Sequence, residues 1–378
     1  TASIASGPGG VLSGGLIGLT DGFGRVSFPG LLITGPTGSY TLQFNGASVT
    51  GVTSSAITIT AGSAAKLVIT AQPTTAQSGI AFTVAPTVQV QDAAGNPVAS
   101  AGRNITVTVN SGTAALTGTT TQATNAGGLA TFPGLILTGP VGSNALLFAT
   151  AGLATDTTSA IALTPGAATA LEYVQQPTTV VAGQVITPPP TVRIRDGAGN
   201  TVTTASNTVA LALAANPGGS TLGGTLSVAA VSGVATFNTL TLNRSAAGYT
   251  LAASSAGLTG ATSSAFTVNP GTATALAVTT APTTGQSGAL LSPQPVIRLV
   301  DVNGNTVPTT GTQVTATLAS GAGTLGGTLT ANTVNGVATF TNLALTGTTG
   351  AYTINFSSAA LTSVTTGSIT LSAGAPAA

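Results

Sequence analysis

A five-residue run, Gly-x-x-x-Phe, recurs four times and constrains this chain more than any other feature. It begins at Gly24, Gly128, Gly233 and Gly336, at spacings of 104, 105 and 103 residues. Leu343, Leu345 and Gly350-Ala351-Tyr352-Thr353-Ile354 follow the last copy, and related residues follow the others. A period near one hundred residues is too long for a solenoid turn or a propeller blade and matches a whole small β domain. The repeat divides the chain into a partial unit, 1–61, and three whole ones, 62–165, 166–270 and 271–378, with a small Gly-containing joint step at Ala61-Gly62, Pro165-Gly166, Pro270-Gly271 and Ala373-Gly374. No Ser/Pro-rich or charged linker intervenes, so the joints should hinge little, and an elongated array is expected.

Within a whole unit the hydrophobic period is two. In the second, Lys66–Thr70 reads as a strand ended by Pro73. Val84 to Gln91 alternates as the next, and Ile105, Val107 and Val109 alternate with Thr106, Thr108 and Asn110. Weak Thr/Gly-rich strands cross Leu116 to Ala123, and Leu129–Phe132, Leu135–Leu137, Leu146–Phe148 and Ala160–Leu163 complete the set. Seven or eight short strands with turns between them and no helical period predict an all-β fold of tandem immunoglobulin-like antiparallel β-sandwiches. Phe28, Phe132, Phe237 and Phe340 are the expected core anchors.

Two motifs repeat inside this frame. The first is a turn, Asp92-x-x-Gly95-Asn96, Asp196-x-x-Gly199-Asn200 and Asp301-x-x-Gly304-Asn305. Its Asp can accept from backbone N–H groups one or two residues on, and its Gly and Asn tolerate positive φ. Calcium would need six to eight oxygens, several of them carboxylates. Each turn offers one Asp, so it reads as structural. The second is Tyr40, Tyr249 and Tyr352, each at the start of the penultimate strand, where a tyrosine corner or a plain packed aromatic would sit. The second unit carries Asn144 there, and Tyr173 lies outside the pattern.

Composition excludes most chemistry. Charged residues make up 3% and the net charge is +1, so there is no basic face for nucleic acid. No apolar run approaches the ~20 residues of a membrane helix, so no membrane insertion is expected. No signal peptide is legible, so the sequence reads as a mature chain or a fragment. With no His or Cys and a single Lys, Lys66, nucleophilic catalysis lacks a base and metal lacks its usual ligands. No enzyme and no cofactor are expected. The scarcity of charge fits either a surface hydrated by Thr and Ser hydroxyls or surfaces meant to touch each other.

The order Val-x-Asp-x-x-Gly-Asn-x-Val, a Val/Thr strand, Gly323-Thr324-Leu325, Gly-Val-Ala-Thr-Phe and Gly-x-Tyr-Thr resembles bacterial immunoglobulin-like repeats of the invasin and intimin type. The resemblance covers the whole chain. It implies an extracellular or cell-surface location, and a structural segment or subunit of a bacterial surface filament, sheath or stalk. An adhesin binding a receptor through one unit is the alternative it leaves open. The partners implied are self-association or neighbouring immunoglobulin-like domains of the same protein.

Residues 1–60 align only with the C-terminal part of the other units, and nothing aligns with Lys66 to Val98. Two missing strands remove roughly six inward side chains, on the order of 10–18 kcal/mol of gross burial, where a whole domain nets ~5–15 kcal/mol. Completion from outside residues 1–60 is therefore expected, by strands upstream in a longer array or by a neighbouring subunit. The chain's other end, at Ala378, stops where a new first strand would begin, which argues against it as the donor.

Overall fold

A computed structural model describes residues 1–374. The described chain is all β, a set of tandem immunoglobulin-like sandwiches, and it divides into two compact units. Thr1–Ala168 with Arg195–Val202 form one; Thr169–Ile194 and Thr203 onward form the other.

The second repeat, in the first unit, shows why these segments become these strands. Lys66–Ala71, Thr87–Gln91 and Leu129–Thr131 form one antiparallel sheet. The other runs in the order Thr121–Ala123, Asn104–Ser111, Gly142–Ala149, Ile161–Thr164, Thr75–Gln77. Alternation does the sorting. Along Asn104–Ser111, Ile105 and Val107 are buried while Thr106 and Thr108 are exposed. The inward residues of both sheets meet in one core, where Phe132 packs edge-on against Phe148 at 5.1 Å between ring centroids. A small extra pair, Ala115–Thr117 with Ile136–Thr138, closes one end.

Pro73 interrupts the first strand so that the chain changes sheets. Lys66–Ala71 pairs antiparallel with Thr87–Gln91, and Thr75–Gln77 then pairs parallel with the last strand, Ile161–Thr164. The switch recurs as Val180–Val181 on Phe266–Asn269 and Thr284–Gln286 on Ile369–Ser372. Sequence alternation did not reveal these two- and three-residue strands. It also drew the second strand too long. Val84 is half exposed and lies outside Thr87–Gln91, because residues 83–84 form a bend and the chain rejoins the sheet at Pro86, whose carbonyl accepts the Phe132 N–H.

In the second unit, the fourth repeat repeats this plan, with Phe340 and Phe356 5.2 Å apart in its core. In the third, Ala253 stands where the other cores place that second phenylalanine, and the buried Tyr173 donates across the core to the Leu251 carbonyl at 3.2 Å.

The first repeat holds one sheet of the two. Ala2–Ser6, Gly38–Gly46 and Val49–Thr53 pair in order, with Ile57–Ile59 also on Gly38–Gly46. Segment 25–27, equivalent to Leu129–Thr131, is not a strand; it makes a single bridge, Thr20 to Val26. Its equivalent pairs with Thr87–Gln91, a strand with no counterpart in residues 1–60. Phe28 was expected in the core but is only half buried, although it still stacks on Phe44 at 5.1 Å. Phe132, Phe237 and Phe340 are buried. The difference is the absent facing sheet.

Candidate functional site: the joint between repeats

The two sequence motifs come together at the joints. The turn carries the same skeleton each time. The Asp N–H bonds the Asn carbonyl at 2.9–3.0 Å, and the Gly N–H bonds the Asp carbonyl at 3.0–3.2 Å. Positive φ is taken by the glycine, at 92°, 86° and 78° for Gly95, Gly199 and Gly304, and not by the asparagine. The carboxylate accepts N–H bonds from residues two and four further on, as Asp196 does from Ala198 (2.9 Å) and Asn200 (2.8 Å). Its other oxygen accepts the N–H of the glycine at the joint: Gly62 on Asp92 (2.9 Å), Gly166 on Asp196 (2.7 Å) and Gly271 on Asp301 (2.8 Å). Each Asp thus ties its own turn to the point where one repeat passes into the next.

Each asparagine reaches further. One amide N–H of Asn96 holds the Asp92 carboxylate (2.9 Å), and the other donates to the Gly35 carbonyl (3.0 Å). Its Oδ1 accepts the Thr37 N–H at 2.9 Å. Asn200 does the same with Asp196, the Gly139 carbonyl (3.0 Å) and the Val141 N–H (2.9 Å). Asn305 does so with Asp301, the Asn243 carbonyl (3.0 Å) and the Ser245 N–H (2.9 Å). Every partner outside the turn belongs to the preceding repeat. Only a short side chain with two donors and one acceptor satisfies this pattern, which selects Asn over Asp, Ser or Gly.

The tyrosines hold the same loop from the other side. Tyr352 Oη is bonded to the Thr348 carbonyl (2.8 Å) and the Ala322 carbonyl (2.7 Å). Tyr249 Oη donates to the Arg244 carbonyl at 2.7 Å. Tyr40 Oη is bonded to the Pro36 carbonyl (2.8 Å) and to that of Gly9. All three rings are fully buried. Gly35-Pro36-Thr37 is therefore clamped twice, its middle carbonyl by Tyr40 and its flanking groups by Asn96. Asn243-Arg244-Ser245 is clamped in the same way by Tyr249 and Asn305. The second repeat has no tyrosine here. There the buried Asn144 accepts the Ala114 N–H at 3.3 Å, and Ser78 bonds Gly139 through both carbonyl and N–H at 3.1 Å, as Ser287 does with Gly347 beside Tyr352.

The electrostatics follow from these bonds. The Asn96 side chain first, then the Gly62 N–H, hold the Asp92 carboxyl down at about 2. Burial pushes Asp196 and Asp301 up, but their bonds from Asn200 and Gly166, and from Asn305 and Gly271, outweigh it and leave both below the ordinary carboxylate value. Each buried charge is thus compensated. Among the described residues no three of His, Cys, Asp and Glu gather into a metal-binding group, and no helix is long and apolar enough to cross a membrane.

Neither a family model nor a curated protein matches this sequence. Solved structures do. The Escherichia coli adhesin FdeC is similar at 17% identity over 83% of this chain and 100% of its own, with a TM-score of 0.38. InvD of Yersinia pseudotuberculosis is similar at 20% identity over 80% and 96%, with a TM-score of 0.32. Invasin, a bacterial integrin-binding protein, is similar at 16% identity over 82% and 60%, with a TM-score of 0.29.

Proposed function

We propose that this chain is a structural, non-enzymatic part of an extracellular repeat protein, a segment or subunit of a bacterial surface filament, sheath or stalk. The observation that carries this reading is the joint, built three times from the same Asp, Gly and Asn. A protein that only needed to tether independent domains would gain nothing from repeating it. The resemblance of the repeat motifs to bacterial immunoglobulin-like repeats supports the location. The first repeat's missing sheet is supplied, on this reading, by strands of the same class as Lys66–Ala71 and Thr87–Gln91. The half-exposed Val26, whose equivalent Ala130 is fully buried, supports that completion. Negative-stain images of the purified protein test the reading: polymers or lateral bundles are expected of a filament or sheath subunit and separate stiff rods of a stalk segment, and compact globules would refute it.

A second reading, adhesion through one unit, draws support from the first repeat. Ile17, Leu19 and Phe23 are 77%, 91% and 85% exposed on a short hairpin whose Asp21 carboxylate caps the Phe23 and Arg25 N–H groups at 2.9 Å. The second repeat places Thr121, Ala123 and Gly127 there. Exposed apolar side chains are what a receptor contact uses, and the first repeat gathers three on this turn where the third and fourth repeats carry one valine each, Val231 and Val334, 77% and 66% exposed. Loss of cell-surface binding on replacing all three with Ser, with polymers unaffected, would select this reading.

A further inference from the structure

We infer that loop 347–349 of the fourth repeat is a preformed socket for the Asp-x-x-Gly-Asn turn of a further repeat following in the same polypeptide. Gly347 stands five residues before Tyr352, as Gly35 stands before Tyr40 and Gly139 before Asn144. The carbonyls of Gly35 and Gly139 accept Asn96 and Asn200. The residue two further on donates its N–H to the same asparagine, which makes Thr349 the fourth member of the set Thr37, Val141 and Ser245.

The socket is already in its engaged shape. Tyr352 Oη holds the Thr348 carbonyl, the middle of the three. Ser287 bonds the Gly347 carbonyl at 3.0 Å and its N–H at 3.1 Å, as Ser78 does with Gly139 in an occupied joint. Gly374 sits against the Ser287 carbonyl as Gly166 sits against that of Ser78. A Cβ on either would come within 2.9 and 2.4 Å of that oxygen, so both places demand glycine. At Gly166 the N–H reaches Asp196. Among the described residues nothing bonds the N–H of Thr349 or Gly374, and the turns at 92–96, 196–200 and 301–305 are each committed to their own joint.

The occupant is specified by chemistry: one carboxylate for the glycine N–H, and one primary amide for the Gly347 carbonyl and Thr349 N–H. In the three filled joints the asparagine lies 59 to 62 residues after its partners on the same chain, which assigns the source to the next repeat in sequence. The inference rests on the array reading above only in requiring such a repeat; its test does not depend on polymers forming.

The test uses the whole chain with a copy of residues 166–270 joined after Ala373, and reads hydrogen–deuterium exchange at the Thr349 amide. Exchange should slow about tenfold against the unextended chain, the factor worth one retained hydrogen bond. Replacing the added copy's equivalent of Asn200 with Ala should return it to the starting rate, while exchange within the added copy's own strands shows that it has folded. A folded copy that leaves Thr349 unprotected would overturn the inference. So would protection that survives the Asn-to-Ala change, or that appears only as protein concentration rises.

Discussion

Asn305→Ala should be the most damaging turn substitution in the fourth repeat, because the buried side chain belongs to two repeats at once. It removes a bond to the Asn243 carbonyl (3.0 Å), one from the Ser245 N–H (2.9 Å) and the amide contact with the Asp301 carboxylate (2.9 Å). The first two are neutral bonds worth ~1 kcal/mol each, and the third is charge-assisted, worth ~1.5–3 kcal/mol. Ser245 is half buried, so water recovers part of the loss, and about 3 kcal/mol is expected. Urea unfolding of the two proteins measures it, with Asn332→Ala as control. Asn332 is exposed on the edge strand Thr330–Asn332, and its loss should stay within ~0.5 kcal/mol. Asn305→Asp should cost at least as much as the alanine, since it deletes both donors and sets a second carboxylate beside Asp301. A loss no larger than that of Asn332→Ala would refute the reasoning and leave Asn305 as a turn residue alone.

Other outcomes follow from the same contacts. The carboxyls of Asp92, Asp196 and Asp301 are depressed when folded, so their contribution is present above the ordinary carboxylate value near 4 and lost as pH falls toward about 2. Thermal midpoints should therefore be flat from pH 5 to 8, where this histidine-free chain titrates little, and drop below about pH 4; a slope near neutrality would contradict this. Tyr352→Phe should cost on the order of 1 kcal/mol, since one hydroxyl proton serves either carbonyl but not both, and an unchanged midpoint would reduce Tyr352 to packing. Phe132→Ala should cost ~3–5 kcal/mol, and Phe28→Ala clearly less because Phe28 already meets solvent; equal losses would show that the first repeat's face is covered. Any self-association should depend weakly on added sodium chloride, given 3% charged residues, and dissociation at moderate salt would count against that.

Much of the sandwich was legible because alternation reports burial directly. Ile105, Val107, Leu146 and Phe148 lie inward where the period of two placed them. The parallel strands Thr75–Gln77, Val180–Val181 and Thr284–Gln286 were not, since two or three residues carry no period and their partners lie more than eighty residues away. Val84 misled because its alternation with Pro86 and Val88 continues into a bend. At the joint, the Asp bonds within its own turn and the Gly conformation are local and could be read from spacing, but the Asp bond to the joint glycine, thirty residues earlier, could not. The Asn role could not, because its partners are backbone groups about sixty residues earlier, and a carbonyl and an N–H leave no residue signature. Positive φ offered a sufficient local reason for the asparagine and hid the distant one. The one available clue was the constant offset between Gly35 and Tyr40, Gly139 and Asn144, and Gly347 and Tyr352.

The central claim is that each turn asparagine is bonded to the repeat before it, and amide exchange at the loops it grips measures this most directly. The Thr37, Val141 and Ser245 amides should exchange slowly in the intact chain, each accelerating about tenfold when its own asparagine, Asn96, Asn200 or Asn305, is replaced by Ala, with the other two unchanged. Exchange of all three at the rate of free loop amides, indifferent to those substitutions, would contradict the account.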